Sequence, residues 1–236
     1  MKIDLSIILP CYNEEENIFP IYQEIKKINF NFYKIEVIFI NNGSTDNTIE
    51  EINSVLKKKL RNIYFIKKSF KNNIQYGGAI SEGIKIAKGK FISWTHADLQ
   101  TPLNDVFKLF LKIKDEKKIF GKGVRVNNRG FDGLVSKIHE ILASVILGKK
   151  MKEINAQPKM FKKSETKYFR NPPCKWTTID TFFFYKALKK NFKIAEIEVV
   201  FKNRIFGESK WKNNYKTFLK YLFFNFLYLI KLRLTR

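Results

Sequence analysis

An α/β domain, with a mostly parallel sheet flanked by helices and an amphipathic helix at the C-terminus, is the fold this sequence predicts. Three observations predict it. Short apolar runs alternate with helix-length segments through the first half of the chain. The connections between them carry Gly, Asn, Asp, Ser and Pro, the residues that turns require. The apolar run 89–93 leads into Trp94-Thr95-His96-Ala97-Asp98-Leu99-Gln100-Thr101-Pro102. Acid and amide groups then stand on a loop at the carboxyl end of a strand, where open α/β sheets bind their ligands.

The elements follow in order. Residues 5–9, all apolar but Ser6, make a strand that Pro10 is expected to end. Glu14, Glu15 and Glu16 open a helix, since acids favour its positive N-terminal dipole. Residues 35–40 form a second buried strand, and Asn41 to Asp46 form a turn in which Thr45 or Asp46 can cap a helix running to Leu56. Residues 62–66 form a third strand. Gly77-Gly78 is expected to lead into a helix over 79–87, stopped by Gly89. After the His96 loop, helices are expected over 105–114, 133–147 and 180–188 and a strand over 193–201. The helix at 133–147 rests on the spacing of Leu134, Ile138, Ile141, Leu142 and Val145.

Length and composition bound the reading. The chain has 236 residues, 44% of them hydrophobic, enough for one packed domain over 1–211 followed by a C-terminal helix over 212–236. Its two cysteines, Cys11 and Cys174, lack ligand-type spacing, so a reducing compartment is expected rather than a disulfide or zinc framework. Residues 1–10 run straight into a strand pattern with no signal-peptide pattern. The formal charge of +23 fits an anionic membrane, a polyphosphate substrate or a nucleic acid, and base-composition bias also yields Lys, Asn and Ile excess. No basic block carries a nucleic-acid motif, so a nucleic-acid partner is not expected.

Five segments taken together carry a resemblance: Pro10-Cys11-Tyr12-Asn13-Glu14; Asn42-Gly43-Ser44-Thr45-Asp46; Gly77-Gly78-Ala79; His96-Ala97-Asp98-Leu99-Gln100; and Glu196 to Phe201 with Arg204-Ile205-Phe206-Gly207-Glu208-Ser209-Lys210. In this order they resemble the family 2 glycosyltransferases of the GT-A (Rossmann-like) fold, in particular dolichol-phosphate mannose synthase and its bacterial polyprenyl-phosphate relatives. The resemblance implies a nucleotide-sugar donor and inversion at the anomeric carbon. It assigns Pro10, Tyr12, Asn13 and Glu14 to the base and ribose. Asn42, where an Asp is usual, Gly78 and Ala97 join the donor site. Arg125, Ser136 and Lys137 match phosphate-contacting positions, and Gln157 matches a segment leading to the acceptor side. Arg204, Ser209 and Lys210 would neutralise phosphates on a mobile loop hinged at Gly207.

The cofactor this implies is a divalent metal, Mn²⁺ or Mg²⁺, held by Asp98 and Gln100 with His96 where the family has an acid. Imidazole suits Mn²⁺ better than Mg²⁺. His96 also reads as an ordinary loop residue, and with Asn42 it favours the alternative of a nucleotide-sugar-binding protein without turnover.

The acceptor divides two readings. A polyprenyl phosphate is already ionised and needs positioning, whereas a glycan hydroxyl in polysaccharide synthesis needs a base, for which Asp180 is the candidate; Asp180 also reads as a helix N-cap. The tail from Tyr215 to Ile230 is rich in Phe, Leu and Tyr, too short to span a bilayer, and edged by Lys and Arg. That pattern fits a helix lying in a membrane interface, or one packed on its own domain. The sequence expectation is therefore a cytoplasmic enzyme held peripherally on the inner membrane face, with the oligomeric state unassigned.

Overall fold

The computed structural model describes residues 2–127, 130–173, 178–204, 206 and 215–235. It contains β1 (Leu5–Cys11), α1 (Glu15–Lys27), β2 (Ile35–Asn42), α2 (Thr48–Leu56), β3 (Ile63–Phe70), α3 (Gln75–Ile86) and β4 (Phe91–Trp94). There follow α4 (Leu103–Ile113), β5 (Ile119–Arg125), α5 (Gly130–Leu147), β6 (Lys159–Lys162), α6 (Thr178–Lys189), β7 (Lys193–Val199) and α7 (Tyr215–Leu234). A short 3-10 segment, Lys163–Tyr168, follows β6.

The seven strands form one sheet in the order β3-β2-β1-β4-β6-β5-β7. Every pairing is parallel except those of β6, which runs antiparallel to β4 and β5. Alternation along the strands divides the core into two layers. Leu5, Ile7 and Leu9 of β1 join α1, α2 and α4 on one face, through Ile18, Ile52 and Val106 among others. Ile8 of β1 joins Ile38, Ile92 and Trp94 on the other face, under α3, α5, α6 and α7. Buried Glu36 ties the second layer to the chain entering β4: its Oε1 accepts from the Ser6 hydroxyl and the Gly89 N–H.

The structure corrects several sequence expectations. Strand β1 runs on through Pro10 to Cys11; its ladder with β4 stops at Ile8. Pro10 thus sits where the strand is paired on one side, the position in which a sheet tolerates a missing N–H. Strand β3 extends to Phe70, and α3 starts at Gln75, so Gly77 and Gly78 lie inside its first turns. Asp46 does act at the start of α2, where Oδ1 accepts the Thr48 N–H at 3.1 Å; Oδ2 accepts the Glu15 N–H at 3.3 Å and joins the starts of α1 and α2.

Strands β5 and β6 escape the sequence reading. Gly121, Lys122 and Gly123 interrupt the apolar run of β5, and β6 is four residues long with Lys at both ends. Lys122 and Lys159 are cross-strand partners and both wholly buried. Both glycines answer close contacts: a Cβ at Gly121 would lie 2.9 Å from Leu109 Cδ1, and one at Gly123 would lie 2.1 Å from the Gln157 carbonyl oxygen.

Helix α7 packs on α5 and α6. Leu229 and Leu232 enter the second core layer, and Arg233 Nη1 donates to the Leu147 carbonyl at 3.1 Å. No described helix is long and apolar enough to cross a membrane.

Candidate active site

The strand order reverses direction at β1: β2 and β3 lie to one side, β4 and the later strands to the other. The crevice at the carboxyl ends of β1 and β4 is therefore the switch point at which this class of sheet binds ligands. The antiparallel strand β6 brings a further group there. Trp94, the last residue of β4, pairs with Lys159, the first of β6, so Gln157 just before β6 enters the same edge. Helices that follow or precede parallel strands begin at this edge, which places Tyr76 of α3 and Asp180 of α6 there, and β7 delivers residues 200–204 to it.

On the β4 loop, Asp98 is buried and Gln100 partly so. Arg204 holds both. Its Nη2 lies 2.9 Å from Asp98 Oδ2, and its Nε donates to Gln100 Oε1 at 3.2 Å. Asp98 Oδ1 accepts the Gln100 N–H at 3.1 Å, and Gln100 Nε2 donates to the Lys202 carbonyl at 3.0 Å. The Lys202 N–H returns a bond to the Gln100 carbonyl at 2.7 Å. The chain after β7 is thus sewn to the β4 loop, and a guanidinium stands between two oxygens expected to face a cation.

His96 points to a second group. Its ring lies over Tyr76 at 5.4 Å between centroids and 34° between planes. Gln157 Nε2 donates to the Tyr76 hydroxyl at 3.0 Å and to Asp180 Oδ1 at 3.1 Å; Trp94 Nε1 donates to the same Asp180 oxygen at 3.0 Å. Gln157 and Asp180 are fully buried, yet among the described residues Gln157 Oε1 and Asp180 Oδ2 have no hydrogen-bond partner. Buried polar atoms left open in this way mark a place for a ligand or ordered water. Burial pushes the Tyr76 phenol well above its usual range, and Asp180 and Asp98 add to the effect. Desolvation holds the His96 imidazole below its usual value, against the pull of Asp98 and Asp180, so the neutral ring is favoured.

The remaining predicted residues divide. Pro10 lies inside β1, where the strand pairs with Ile40 of β2 alone. Asn13, at φ 56°, accepts the Thr45 N–H on Oδ1 at 2.9 Å, while its own N–H donates to Ser44 Oγ at 3.1 Å. Glu14 is partly buried: its N–H donates to Thr48 Oγ1 at 2.8 Å and its Oε2 accepts from Asn17 Nδ2 at 2.6 Å. Tyr12 is half-buried beside them. The loops after β1 and β2 are therefore locked together beside the crevice. Asn42 uses its amide internally: Oδ1 accepts the Ile74 N–H at 2.8 Å and Nδ2 donates to Asn73 Oδ1 at 3.1 Å. Gly78 and Ala97 are buried beside Ile74 and in the first core layer.

Arg125, at the end of β5, pairs through Nε with Glu153, and among the described residues its buried Nη2 has no partner. Ser136 is partly buried and Lys137 exposed, both on α5. Ser209 and Lys210, and the hinge expected at Gly207, lie outside the described residues. Asp180 lies inside the first turn of α6, two residues past its start at Thr178, so it is not the N-cap. Among the described residues, no group of three or more His, Cys, Asp or Glu could hold a metal ion.

Sequence reasoning missed Tyr76 and gave Trp94 no role. Tyr76 stands directly before Gly77-Gly78, and a polar-tipped aromatic at the start of a helix facing a ligand crevice was the available signal. Lys159 was invisible, because a buried lysine breaks the apolar pattern that would reveal its strand.

Comparison with known proteins agrees with this geometry. Residues 6–191 match the sequence profile of Glycosyl transferase family 2. The Bacillus subtilis protein CsbB is 33% identical over 135 residues, covering 57% of this chain and 39% of its own length. The dolichyl-phosphate beta-glucosyltransferase ALG5D of Trichomonas vaginalis is 26% identical over 217 residues, covering 84% of this chain and 65% of that protein. The chain thus spans less than two thirds of the length of either curated relative. Among solved structures, the Pyrobaculum calidifontis mannosyltransferase PcManGT in complex with GDP-Man and Mn²⁺ superposes with a TM-score of 0.66 at 15% identity, covering 92% of this chain and 60% of that one. Glucosyl-3-phosphoglycerate synthase of Mycobacterium tuberculosis, in complex with Mn²⁺, UDP and phosphoglyceric acid, gives a TM-score of 0.68 at 15% identity, with 99% and 80% covered. At such identities the likeness concerns the fold, which is of the GT-A type. With the profile matched from the start of β1 to just past the end of α6, the chain belongs to glycosyl transferase family 2.

Proposed function

We propose that this chain is an inverting glycosyltransferase that moves a sugar from a nucleotide-sugar donor to a polyprenyl phosphate at the cytoplasmic face of a membrane. The observation that carries the transfer reading is the paired arrangement at the switch point. A guanidinium, Arg204, is held on Asp98 and Gln100, and open buried atoms of Gln157 and Asp180 are joined to that loop through Tyr76 and His96. One side suits a diphosphate and the other a polyhydroxylated ring. The lipid-phosphate acceptor is supported by the relative acting on dolichyl phosphate, which aligns over 84% of this chain.

Each residue then has a task. Pro10, Tyr12, Asn13 and Glu14 border the base and ribose, Asn42 holds the adjoining turn, and Gly78 and Ala97 let the donor approach closely. The acceptor phosphate oxygen attacks the anomeric carbon opposite the leaving diphosphate, forming the new C–O bond as the old one breaks. Charge grows on the diphosphate, and Arg204, with Ser209 and Lys210, meets it. Arg125, Ser136 and Lys137 serve acceptor or donor phosphate. Gln157 and Asp180 orient the sugar through their open oxygens.

The donor set of the β4 loop fits a divalent ion, because the Asp98 and Gln100 oxygens are already arranged around a cation, the guanidinium, and His96 adds a nitrogen donor on the same loop. That set suits Mn²⁺ better than Mg²⁺. When bound, the ion would screen the leaving diphosphate. Residues 1–211 would form the catalytic unit and 212–236 its membrane-facing addition.

The test is transfer of radiolabelled sugar from a panel of nucleotide sugars, with and without polyprenyl phosphate. Label moving to the lipid fraction is the expected result, and its absence across the whole panel would remove the reading. A second acceptor class has one observation in its favour. The open Oδ2 of Asp180 is what a general base for a glycan hydroxyl requires, so oligosaccharide acceptors belong in the same panel.

A further inference from the structure

Residues 153–158 run beside the crevice as irregular chain between α5 and β6. Ile154, Ala156, Gln157 and Pro158 are nonetheless buried. Buried chain outside helices and strands must still satisfy its polar groups. Glu153 Oε2 accepts from Arg125 Nε on β5, and the Ala156 N–H donates to the Glu153 carbonyl at 3.3 Å. The Gly123 N–H donates to the Pro158 carbonyl at 2.9 Å. Between these points, directly before Gln157, the Ala156 carbonyl accepts from Lys159 Nζ.

Lys159 is a costly way to hold a carbonyl. Its side chain is wholly buried at the start of β6, where the next two residues, Met160 and Phe161, are apolar. Among the described residues its ammonium has the Ala156 carbonyl in place of an ion pair, whereas its cross-strand partner Lys122 lies 3.2 Å from Glu196 Oε1. Burial works against the charge on Lys159, as do Lys122 and Arg125, while Asp180 and Glu153 work for it. A Met at this position would fill similar space without burying a charge. What a Met would lose is the hold on residue 156.

We infer that Lys159 is a positioning residue of the donor-sugar pocket: by fixing the Ala156 carbonyl it sets where Gln157 presents its open Oε1, beside the open Oδ2 of Asp180. The link is short. Gln157 Nε2 uses both its hydrogens, one on the Tyr76 hydroxyl and one on Asp180 Oδ1. Only Oε1 is left to meet a sugar, and its direction follows from where the backbone carries residue 157. That backbone is pinned by Lys159 on one side and, through the Pro158 carbonyl, by Gly123 on the other. The nucleotide end hangs on different bonds, since Asp98, Gln100 and Arg204 are held to one another and to Lys202. Loss of the Lys159 hold should therefore be felt by the sugar and not by the diphosphate. The inference rests on the proposal that Gln157 and Asp180 orient the sugar, and it adds what orients Gln157.

The test compares two affinities in the whole chain. A panel of UDP- and GDP-sugars is titrated with Mn²⁺, each beside its sugar-free nucleoside diphosphate. In Lys159→Met the diphosphate should bind within about twofold of wild type, while the ratio of nucleotide-sugar to diphosphate affinity falls about tenfold for the sugar the wild type favours. Lys159→Gln keeps an amide donor at shorter reach and should fall about threefold. Lys122→Met removes an equally buried ammonium that does not touch this segment, and should leave the ratio unchanged. A merely structural role would weaken both ligands alike, and in both lysine variants. An unchanged ratio in Lys159→Met overturns the inference, as does an equal fall in Lys122→Met. If circular dichroism shows Lys159→Met unfolded, Lys159→Gln decides, and a wild-type ratio there overturns the inference equally. Transfer is scored apart from binding. A wild type that binds nucleotide sugars but passes label to no acceptor removes the transfer reading and leaves Lys159 its role; slower transfer in Lys159→Met at an unchanged ratio does the reverse. A wild type that binds no nucleotide sugar overturns both.

Discussion

Replacing Arg204 by Ala should move two measurements in opposite directions. The guanidinium lies 2.9 Å from Asp98 Oδ2 and 3.2 Å from Gln100 Oε1, so a metal ion approaching these oxygens must displace it. Unit charges about 3 Å apart attract by ~5 kcal/mol at an effective dielectric of about 20. The Arg204 side chain is 32% exposed, so solvent screening and the cost of ordering the side chain leave ~1 kcal/mol of that. Removing the competitor should therefore tighten Mn²⁺ binding to the nucleotide-free chain by about fivefold. Sugar transfer should instead fall by a factor of about 10²–10³, the usual loss for one stabiliser of developing charge. Arg204→Lys keeps the charge but not the forked grip on two oxygens, and should fall between the two on both measurements. Electron paramagnetic resonance of free Mn²⁺ gives the first quantity and radiolabel transfer the second. Unchanged or weaker Mn²⁺ binding in Arg204→Ala would refute competition for the loop, and a wild-type rate would remove Arg204 from the reaction.

Other perturbations address the remaining parts. His96→Asp is expected to shift donor-dependent metal preference from Mn²⁺ towards Mg²⁺, and a thermal-shift screen with both ions that finds no change would show that His96 is not a ligand. Asp180→Asn keeps an oxygen for Trp94 and Gln157 but cannot take a proton; transfer to a hydroxyl acceptor should drop by about 10²–10⁴, and transfer to a lipid phosphate by less than about tenfold. Trp94→Phe leaves a gap in the second core layer and removes one donor to Asp180, so unfolding in urea should come at a cost of about 2–4 kcal/mol; a value near zero would mean that the contact is dispensable. Burial lowers the ammonium of Lys159 to about 7, so between about pH 7 and the ordinary lysine value of about 10.4 the unfolded chain binds more protons than the folded one. Stability contributed there should rise with pH through that window by at most ~1.4 kcal/mol per pH unit and be lost as the pH falls to 7. Urea midpoints measured at rising pH should show the climb in the wild type and a flatter line in Lys159→Met.

The parallel half of the fold was legible because buried parallel strands are near-continuous apolar runs. Leu5 to Leu9 and Ile35 to Ile40 fill both core layers; the reading found the starts of both strands and ended each two residues short. The reading stopped at β5 and β6 for a physical reason. Gly123 is there to let the Gln157 carbonyl approach, and Lys122 and Lys159 bury charge on a strand face, so neither strand carries an apolar signature. Period and direction also separated. The spacing of Leu134, Ile138, Ile141 and Val145 announced a helix correctly, but period alone does not say which way an apolar row faces, and here it faces outward. Asp98, Gln100 and Arg204 were legible as separate residues, whereas the guanidinium lying between the other two was not, because it depends on where the chain goes after β7.

Sites are where sequence patterns break, since the groups that bind and react are polar and sit where apolar residues would pack better. His96 illustrates the consequence. Judged by the family pattern, it is an acid lost from the metal loop. Its surroundings give it a different value. A carboxylate at position 96 could bind a cation but could not lie over the Tyr76 ring, and Tyr76 in turn receives the Gln157 amide whose second hydrogen bond goes to Asp180. The imidazole therefore mechanically couples the loop that carries Asp98 and Gln100 to the pair whose oxygens remain open. A change at His96 should accordingly be felt at both ends of the donor, in metal preference and in the choice of sugar. A change that removes the Tyr76 ring should reach the loop of Asp98 and Gln100 through His96. Tyr76→Phe separates these two contributions, because it keeps the ring under His96 and removes only the oxygen that accepts from Gln157: sugar selectivity should change while metal preference stays. Loss of both together would show that His96 and Gln157 are held by something other than this ring contact.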